Sequence, residues 1–301
     1  MPEGHTIHRL AELHTKLLVG HRLAVSSPQG RFEEGAKQVD KQALRDVTPH
    51  GKHLFYRFNN GRTVHVHLGL HGAFRTLPMP PRGHPLPEAR GAVRMRLVGG
   101  GKIVELTGPT ACETLDGPGV AKIRDRLGPD VLDPAADPGR VWDKVHKSRS
   151  PIGYLLMDQS VVSGIGNIYR SEVLYRQRVH PLATGSSLKR EQFDRIWADS
   201  VALLKRGMTV GHIVTAEPAD VGGVAAAETT FDQRFLIYRR PTCRRCGAPV
   251  RQFTLAGREC FVCPNEQRAP FGLDLSRFEL RPVVEPKVRR GGRQHGDAEE
   301  G

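Results

Sequence analysis

The segment "CRRCGAPVRQFTLAGRECFVC" constrains the chain more than any other, because it crowds Cys243, Cys246, Cys260 and Cys263 into one short stretch. Two C-x2-C pairs can bring four thiolates tetrahedrally around zinc, and a site closed by protein ligands is structural: the metal supplies folding energy. The spacing predicts a small ribbon-like hairpin holding one zinc ion, with Gly257-Arg258 at its tip. A guanidinium there suits a phosphate or a base edge. Metal ligation fits this clustering better than the disulfide framework of a small secreted domain. The fifth cysteine, Cys112, stands alone and reads as an inert core thiol.

Such a hairpin accounts for little of a 301-residue chain, so the remainder must bury cores of its own. Lys and Arg number 45 against 32 Asp and Glu, a formal charge of +13. That excess suits a polyanionic partner, nucleic acid first, with a solvated basic surface as the alternative. No basic leader precedes an apolar core at the start, and no apolar run approaches the ~18 residues of a membrane span. The expectation is a soluble, intracellular protein with no membrane partner.

Periodicity divides the chain. "IHRLAELHTKLL" sets Ile7, Leu10, Leu13 and Leu17 at helical spacing, with Thr6 as the expected N-cap. "FYRFNNGRTVHVHLGLHGAFR" and "AVRMRLVGGGKIVELTG" alternate in the manner of strands and predict a β-sandwich. "LGPDVLDP" and "DPAADPG" then mark a connection. "IGYLLMDQSVVSGIGNIYRSEVLYRQRV" reads as two helices separated by the turn Ser163 to Asn167, and Phe193, Ile196, Trp197, Val201 and Leu204 form one face of a later helix. The fold class expected is α+β and multidomain. An N-terminal β-sandwich with flanking helices spans 2–118, a helical domain 124–229, the cysteine hairpin 232–268, and a disordered tail 285–301.

Several residues carry possible chemistry. In "MPEGHT", removal of Met1 would leave Pro2 as a terminal secondary amine, a potential nucleophile; a merely frayed terminus is the alternative. In "SGIGNIYR", Asn167 can cap a helix whose free N–H groups face a phosphate, or serve as an ordinary cap. Lys52 in "GKHLF" interrupts a β-rich region and alone reads as surface solvation. Leu70 in "HLGLHG" is either a core residue or an exposed wedge between bases.

Taken in this order, Pro2-Glu3, Gly51-Lys52, "HLGLHG", "LLMDQSVVSGIGNIYRSEVL" and the cysteine ribbon with its Gly-Arg resemble the formamidopyrimidine/endonuclease VIII family of DNA glycosylases. The resemblance covers nearly residues 2 to 268, and "MPEGHTIHRLA" is similar to the actinobacterial endonuclease VIII branch. It implies a helix-two-turn-helix in the second domain and a monomeric, bacterial, nucleoid-associated cytoplasmic enzyme. Such an enzyme removes oxidised bases from damaged double-stranded DNA and cuts the strand by β,δ-elimination. By resemblance the catalytic set is Pro2, Glu3 and Lys52. The DNA-binding set is Lys52, His67, Leu70, His71, Asn167 and Arg258, with the loop from about 215 to 229 closing over an extruded base. Oxidised pyrimidines are expected in preference to 8-oxoguanine. The rival reading is a non-catalytic damage sensor, for which Pro2 would be incidental.

Two departures stand out. Relatives often begin Pro-Glu-x-Pro-Glu, whereas His5 and Thr6 here replace the second proline and glutamate. Aligned on Arg258, the second metal pair of zinc-bearing relatives falls on Cys263 and Glu266. The fourth ligand is therefore Cys260 or Glu266, a third alternative being that zinc is lost altogether and packing holds the hairpin. Cys260 is the expected one, because four thiolates suit zinc better than three and a carboxylate.

Overall fold

The structure, a computed structural model, describes residues 2–284, so the tail expected at 285–301 lies outside the described residues. Helix α1 (Gly4–Leu18) opens the chain and buries Ile7, Ala11, His14 and Leu18. Its N-cap is Glu3 and not Thr6: the Glu3 backbone is extended, and its carbonyl accepts from the N–H groups of Thr6 and Ile7. A tertiary hydrogen bond fixes this earlier start, since Gly4 N–H donates to the Gly164 carbonyl at 2.8 Å.

Next come β1 (Ala24–Ser26), α2 (Glu33–Val39), β2 (Leu44–His50), β3 (His53–Phe58), β4 (Thr63–His67), β5 (Ala73–Pro78), β6 (Val93–Gly99), β7 (Lys102–Thr107) and β8 (Ala111–Leu115). They form two antiparallel four-stranded sheets, ordered β1-β6-β7-β5 and β2-β3-β4-β8. The alternation read from the sequence is what closes the sandwich. Leu54, Tyr56, Val64 and Val66 of one sheet share a core with Met95, Leu97, Val104 and Leu106 of the other. Cys112 packs against this core, and burial pushes its thiol up to about 12, in keeping with an inert role.

Two short helices follow, α3 (Gly117–Asp125) and α4 (Pro138–Val145), each capped by an aspartate, Asp116 or Asp137. Helices α5 (Ile152–Leu155), α6 (Asn167–Arg176) and α7 (Arg190–Val210) complete the second layer around Val173, Leu174, Phe193, Ile196, Leu203 and Leu204. Trp197 lies partly buried against this core. The first of the two helices expected around the Ser163–Asn167 turn is a single turn only. The Asp158 carboxylate takes the Ser160 N–H at 2.9 Å, a local bond that competes with helix continuation.

The C-terminal sheet consists of β9 (Arg251–Leu255), β10 (Arg258–Val262) and β11 (Arg281–Pro282), ordered β10-β9-β11. Its hairpin turns on Ala256 and Gly257, at φ 55° and 68°, the left-handed pair of a type I′ turn. Arg258 is thus the first strand residue after the tip. The third strand, β11, lies beyond the span expected for the hairpin.

Candidate active site

Glu3 is wholly buried, and its carboxylate sits on the N-terminus of α6. Oε2 accepts from Gly166 N–H at 2.8 Å and Oε1 from Ile168 N–H at 2.9 Å. The N-terminus of a helix offers unpaired N–H groups and a positive dipole end, so a carboxylate is favoured there. Close approach of the two segments demands glycine. A Cβ on Gly166 would stand 2.3 Å from Glu3 Cδ, and one on Gly4 would stand 2.9 Å from Gly164 Cα. The glycines of "SGIGN" therefore serve a contact with Glu3 and Gly4 as well as a turn.

Burial raises the Glu3 carboxyl above its usual range, although Lys52 and the N–H groups of Ile168, Gly166 and Tyr169 pull the other way. Burial lowers the Lys52 ammonium, which Glu3 opposes while Arg258 and Arg170 reinforce it. Glu3, Lys52, Arg170 and Arg258 thus share one electrostatic neighbourhood, contributed by the sandwich, α6 and the C-terminal hairpin.

Lys52 rides on the β2–β3 turn, and that turn is tethered from outside the sandwich. Asp130 accepts from Gly51 N–H at 2.7 Å, from Leu132 N–H at 3.0 Å and from the His8 ring at 2.7 Å. Burial alone would raise the Asp130 carboxyl, but His8 and the two N–H groups more than offset it and hold it below the usual range. In the sequence this residue is one more aspartate in a Pro/Asp/Gly connection, with no local signal of its role.

Asn167 is the first helical residue, and Gly166 is the N-cap, so the capping role expected for Asn167 is replaced by another. Its amide donates to the Glu259 carbonyl of β10 at 3.0 Å, and its oxygen accepts from Arg170. Arg170 is completely buried and also reaches the Glu259 carbonyl at 3.2 Å and the Gly153 carbonyl at 3.3 Å. It couples α6 to the hairpin that bears Arg258, and the sequence reading did not single it out.

His67 ends β4, within electrostatic reach of Lys52, its ring 4.7 Å from that of His53. His53 is bonded to His65 at 2.8 Å and His65 to Glu113 at 2.9 Å. Leu70, 45 % exposed, and His71 stand on the following turn; among the described residues no hydrogen bond joins either to Glu3 or Lys52. Pro2 is half-buried directly before Glu3. His5 is buried edge-on against Tyr169, and burial lowers its ring to about 3, so it stays neutral, while Thr6 stands where relatives carry the second carboxylate.

At the far end of the hairpin, the sulfurs of Cys243, Cys246 and Cys263 lie within 4.8 Å of one another, a donor set that suits zinc. Cys260, expected as the fourth ligand, does not join them. It lies inside β10, where side chains alternate between faces: Cys260 and Val262 pack with Phe253 and Leu255, whereas Phe261 and Cys263 face the helical core. Burial pushes the Cys260 thiol up to about 11.

Comparison with known proteins matches this architecture. Residues 1–107 match the family model for the formamidopyrimidine-DNA glycosylase N-terminal domain, and residues 127–218 match that for the formamidopyrimidine-DNA glycosylase H2TH domain. The chain is 44% identical over 266 residues to Endonuclease 8 1 of Mycobacterium tuberculosis, covering 88% of this chain and 98% of the relative. It is 28% identical over 293 residues to a formamidopyrimidine-DNA glycosylase of Thermomicrobium roseum, covering 89% and 98% respectively. A crystal structure of Lactococcus lactis Fpg with DNA containing an abasic site superposes with a TM-score of 0.73 at 20% identity, covering 89% of this chain and 100% of that one. No helix among the described residues is long and apolar enough to cross a membrane.

Proposed function

Because the chain belongs to the formamidopyrimidine-DNA glycosylase and endonuclease VIII family of DNA repair glycosylases, we propose that it is bifunctional, excising oxidised bases and then cutting the strand at the abasic site. The observation that carries this reading is the buried Glu3 carboxyl beside Lys52, with its pKa raised: binding DNA alone gives no reason to bury an acid behind a terminal proline. Preference for pyrimidines is supported by the greater identity to an endonuclease VIII, 44% against 28%.

In this mechanism the damaged nucleotide leaves the stack, a step costing a few kcal/mol and least at a weakened pair. With Met1 removed, the Pro2 nitrogen is a secondary amine whose reference pKa of about 8 leaves part of it unprotonated near neutrality. It bonds to C1′ of the deoxyribose, and the base departs with the electrons of the glycosidic bond. Glu3, kept able to carry a proton by its burial, protonates the ring oxygen; the sugar opens and a cationic iminium (protonated Schiff base) to Pro2 remains. Glu3, left as a carboxylate by that transfer, takes a proton from C2′ as the 3′ phosphate departs with the C3′–O electrons, and a second elimination expels the 5′ phosphate. Lys52, Asn167 and Arg258 hold the backbone phosphates, with His67 alongside. Leu70 and His71 enter the gap left by the extruded base. A zinc ion on Cys243, Cys246 and Cys263 would supply folding energy to the hairpin that presents Arg258. The enzyme acts as a monomer on damaged duplex DNA.

Borohydride trapping on a duplex with one thymine glycol tests this, because the reagent reduces the iminium to a stable amine link. The wild type is expected to crosslink and cleave. Pro2→Gly, and a form with one residue added ahead of Pro2, are expected to lose both. A wild type that binds the duplex yet never crosslinks to thymine glycol, 8-oxoguanine or an abasic site would leave a damage sensor in place of an enzyme.

A further inference from the structure

The two turns that carry the sulfur cluster are built alike. Cys243 Sγ faces the backbone N–H groups of Arg245 and Cys246, and Cys263 Sγ faces those of Asn265 and Glu266. Each turn thus aims at its first sulfur the N–H groups of the second and third residues after it. In the first turn that third residue, Cys246, supplies a sulfur to the cluster. In the second turn it is Glu266. Since β10 ends at Val262, the second turn is Cys263-Pro264-Asn265-Glu266, whereas Cys260 lies within the strand.

The Glu266 side chain is 23% exposed and reaches Arg178, Oε2 to Nε 3.1 Å, while the Arg178 side chain is 76% exposed. An ion pair so open to water is weak and easily exchanged. Glu266 also acts electrostatically on Tyr175, whose hydroxyl lies 3.0 Å from Cys243 Sγ, while its carboxylate stands outside the 4.8 Å cluster of the three sulfurs, turned to Arg178.

We propose that the cluster holds a divalent, zinc-like cation through Cys243, Cys246 and Cys263 with Glu266 as an exchangeable fourth ligand, Arg178 holding the carboxylate when it is off the metal. This rests on reading the three thiolates as a metal centre. A carboxylate is a harder donor than the thiolate it stands beside, so such a site releases its metal more readily than a four-thiolate site would.

The test uses the full chain with Co2+ as the probe, because cobalt–thiolate charge-transfer absorption per bound metal rises with the number of thiolates. Wild type is expected to show the intensity of three thiolates, and Glu266→Cys to gain about one third while retaining metal more firmly. Glu266→Gln is expected to lower cobalt affinity about tenfold or more with the charge-transfer intensity per metal unchanged. Arg178→Gln is expected to raise affinity, and Cys260→Ser to leave affinity and spectrum as in the wild type. Unaltered affinity in Glu266→Gln, no added intensity in Glu266→Cys, or lost intensity in Cys260→Ser would each overturn the assignment of Glu266. Failure of the wild type to bind either cobalt or zinc would overturn the metal centre itself, whatever the outcome of borohydride trapping.

Discussion

At the scale of single residues, the site depends on a side chain that is missing. Gly166 has no Cβ, and the space that atom would fill is taken by the Glu3 carboxylate, 2.3 Å from its position. Gly166→Ala must therefore push Glu3 off the N–H groups of Gly166 and Ile168, and it also leaves α6 with a poorer N-cap. Displacement of a reacting group by about 1 Å can cost ~10²-fold in rate. The expected outcome is a fall in single-turnover base excision of about that size, with duplex binding largely retained. Excision at the wild-type rate would mean that the observed Glu3 position is not the reactive one. Glu3 and Lys52 stood out in the sequence only through the family resemblance, since alone a residue beside the terminus reads as a frayed end and a lysine in a β-rich run as surface solvation. The need for glycine at 166 did not stand out, since it arises from contact with residue 3, far away in the chain.

At the scale of elements, what positions the site is a set of ties between segments, and Asp130 is the one most exposed to pH. It joins α1 through His8, the β2–β3 turn through Gly51, and the connection to the helical layer through Leu132. Its carboxyl is held below the usual range, so it contributes stability above the unfolded-state value of about 3.9, and that contribution is lost as pH falls through the depressed folded value. Asp130→Asn carries no such charge. The variant should be less stable by about 2–4 kcal/mol near neutrality, and the gap to wild type should narrow as the pH drops below about 4. Denaturant melts at several pH values check this, and a gap independent of pH would remove the charge from the explanation. The strands of the sandwich were legible because alternation is local. The start of α1 at Glu3, the uncoiled stretch after α5, the addition of β11 and the exclusion of Cys260 were not. Each depends on a partner distant in sequence or, for Cys260, on whether a C-x2-C spacing falls on a strand or a turn, which spacing alone does not decide.

At the scale of the whole molecule, Lys52, Asn167 and Arg258 come from the sandwich, the helical layer and the hairpin, and Arg170 binds the last two together. If all three side chains grip phosphates, their contributions differ in kind. A cation that neutralises one phosphate of duplex DNA releases counterions and adds about 0.9 to the slope of log affinity against log salt. Arg258→Gln should thus flatten that slope by about this amount and weaken binding alike for every lesion. Asn167 is neutral, so Asn167→Ala should leave the slope as it was. It should still lower affinity, because the amide that meets the Glu259 carbonyl is gone and the hairpin is less firmly seated on α6. Titrations across salt concentrations in a Pro2→Gly background, where no turnover intervenes, separate the two. A slope unchanged in Arg258→Gln would place that guanidinium off the backbone, and the chain's formal charge of +13 would then have to engage the duplex through other residues.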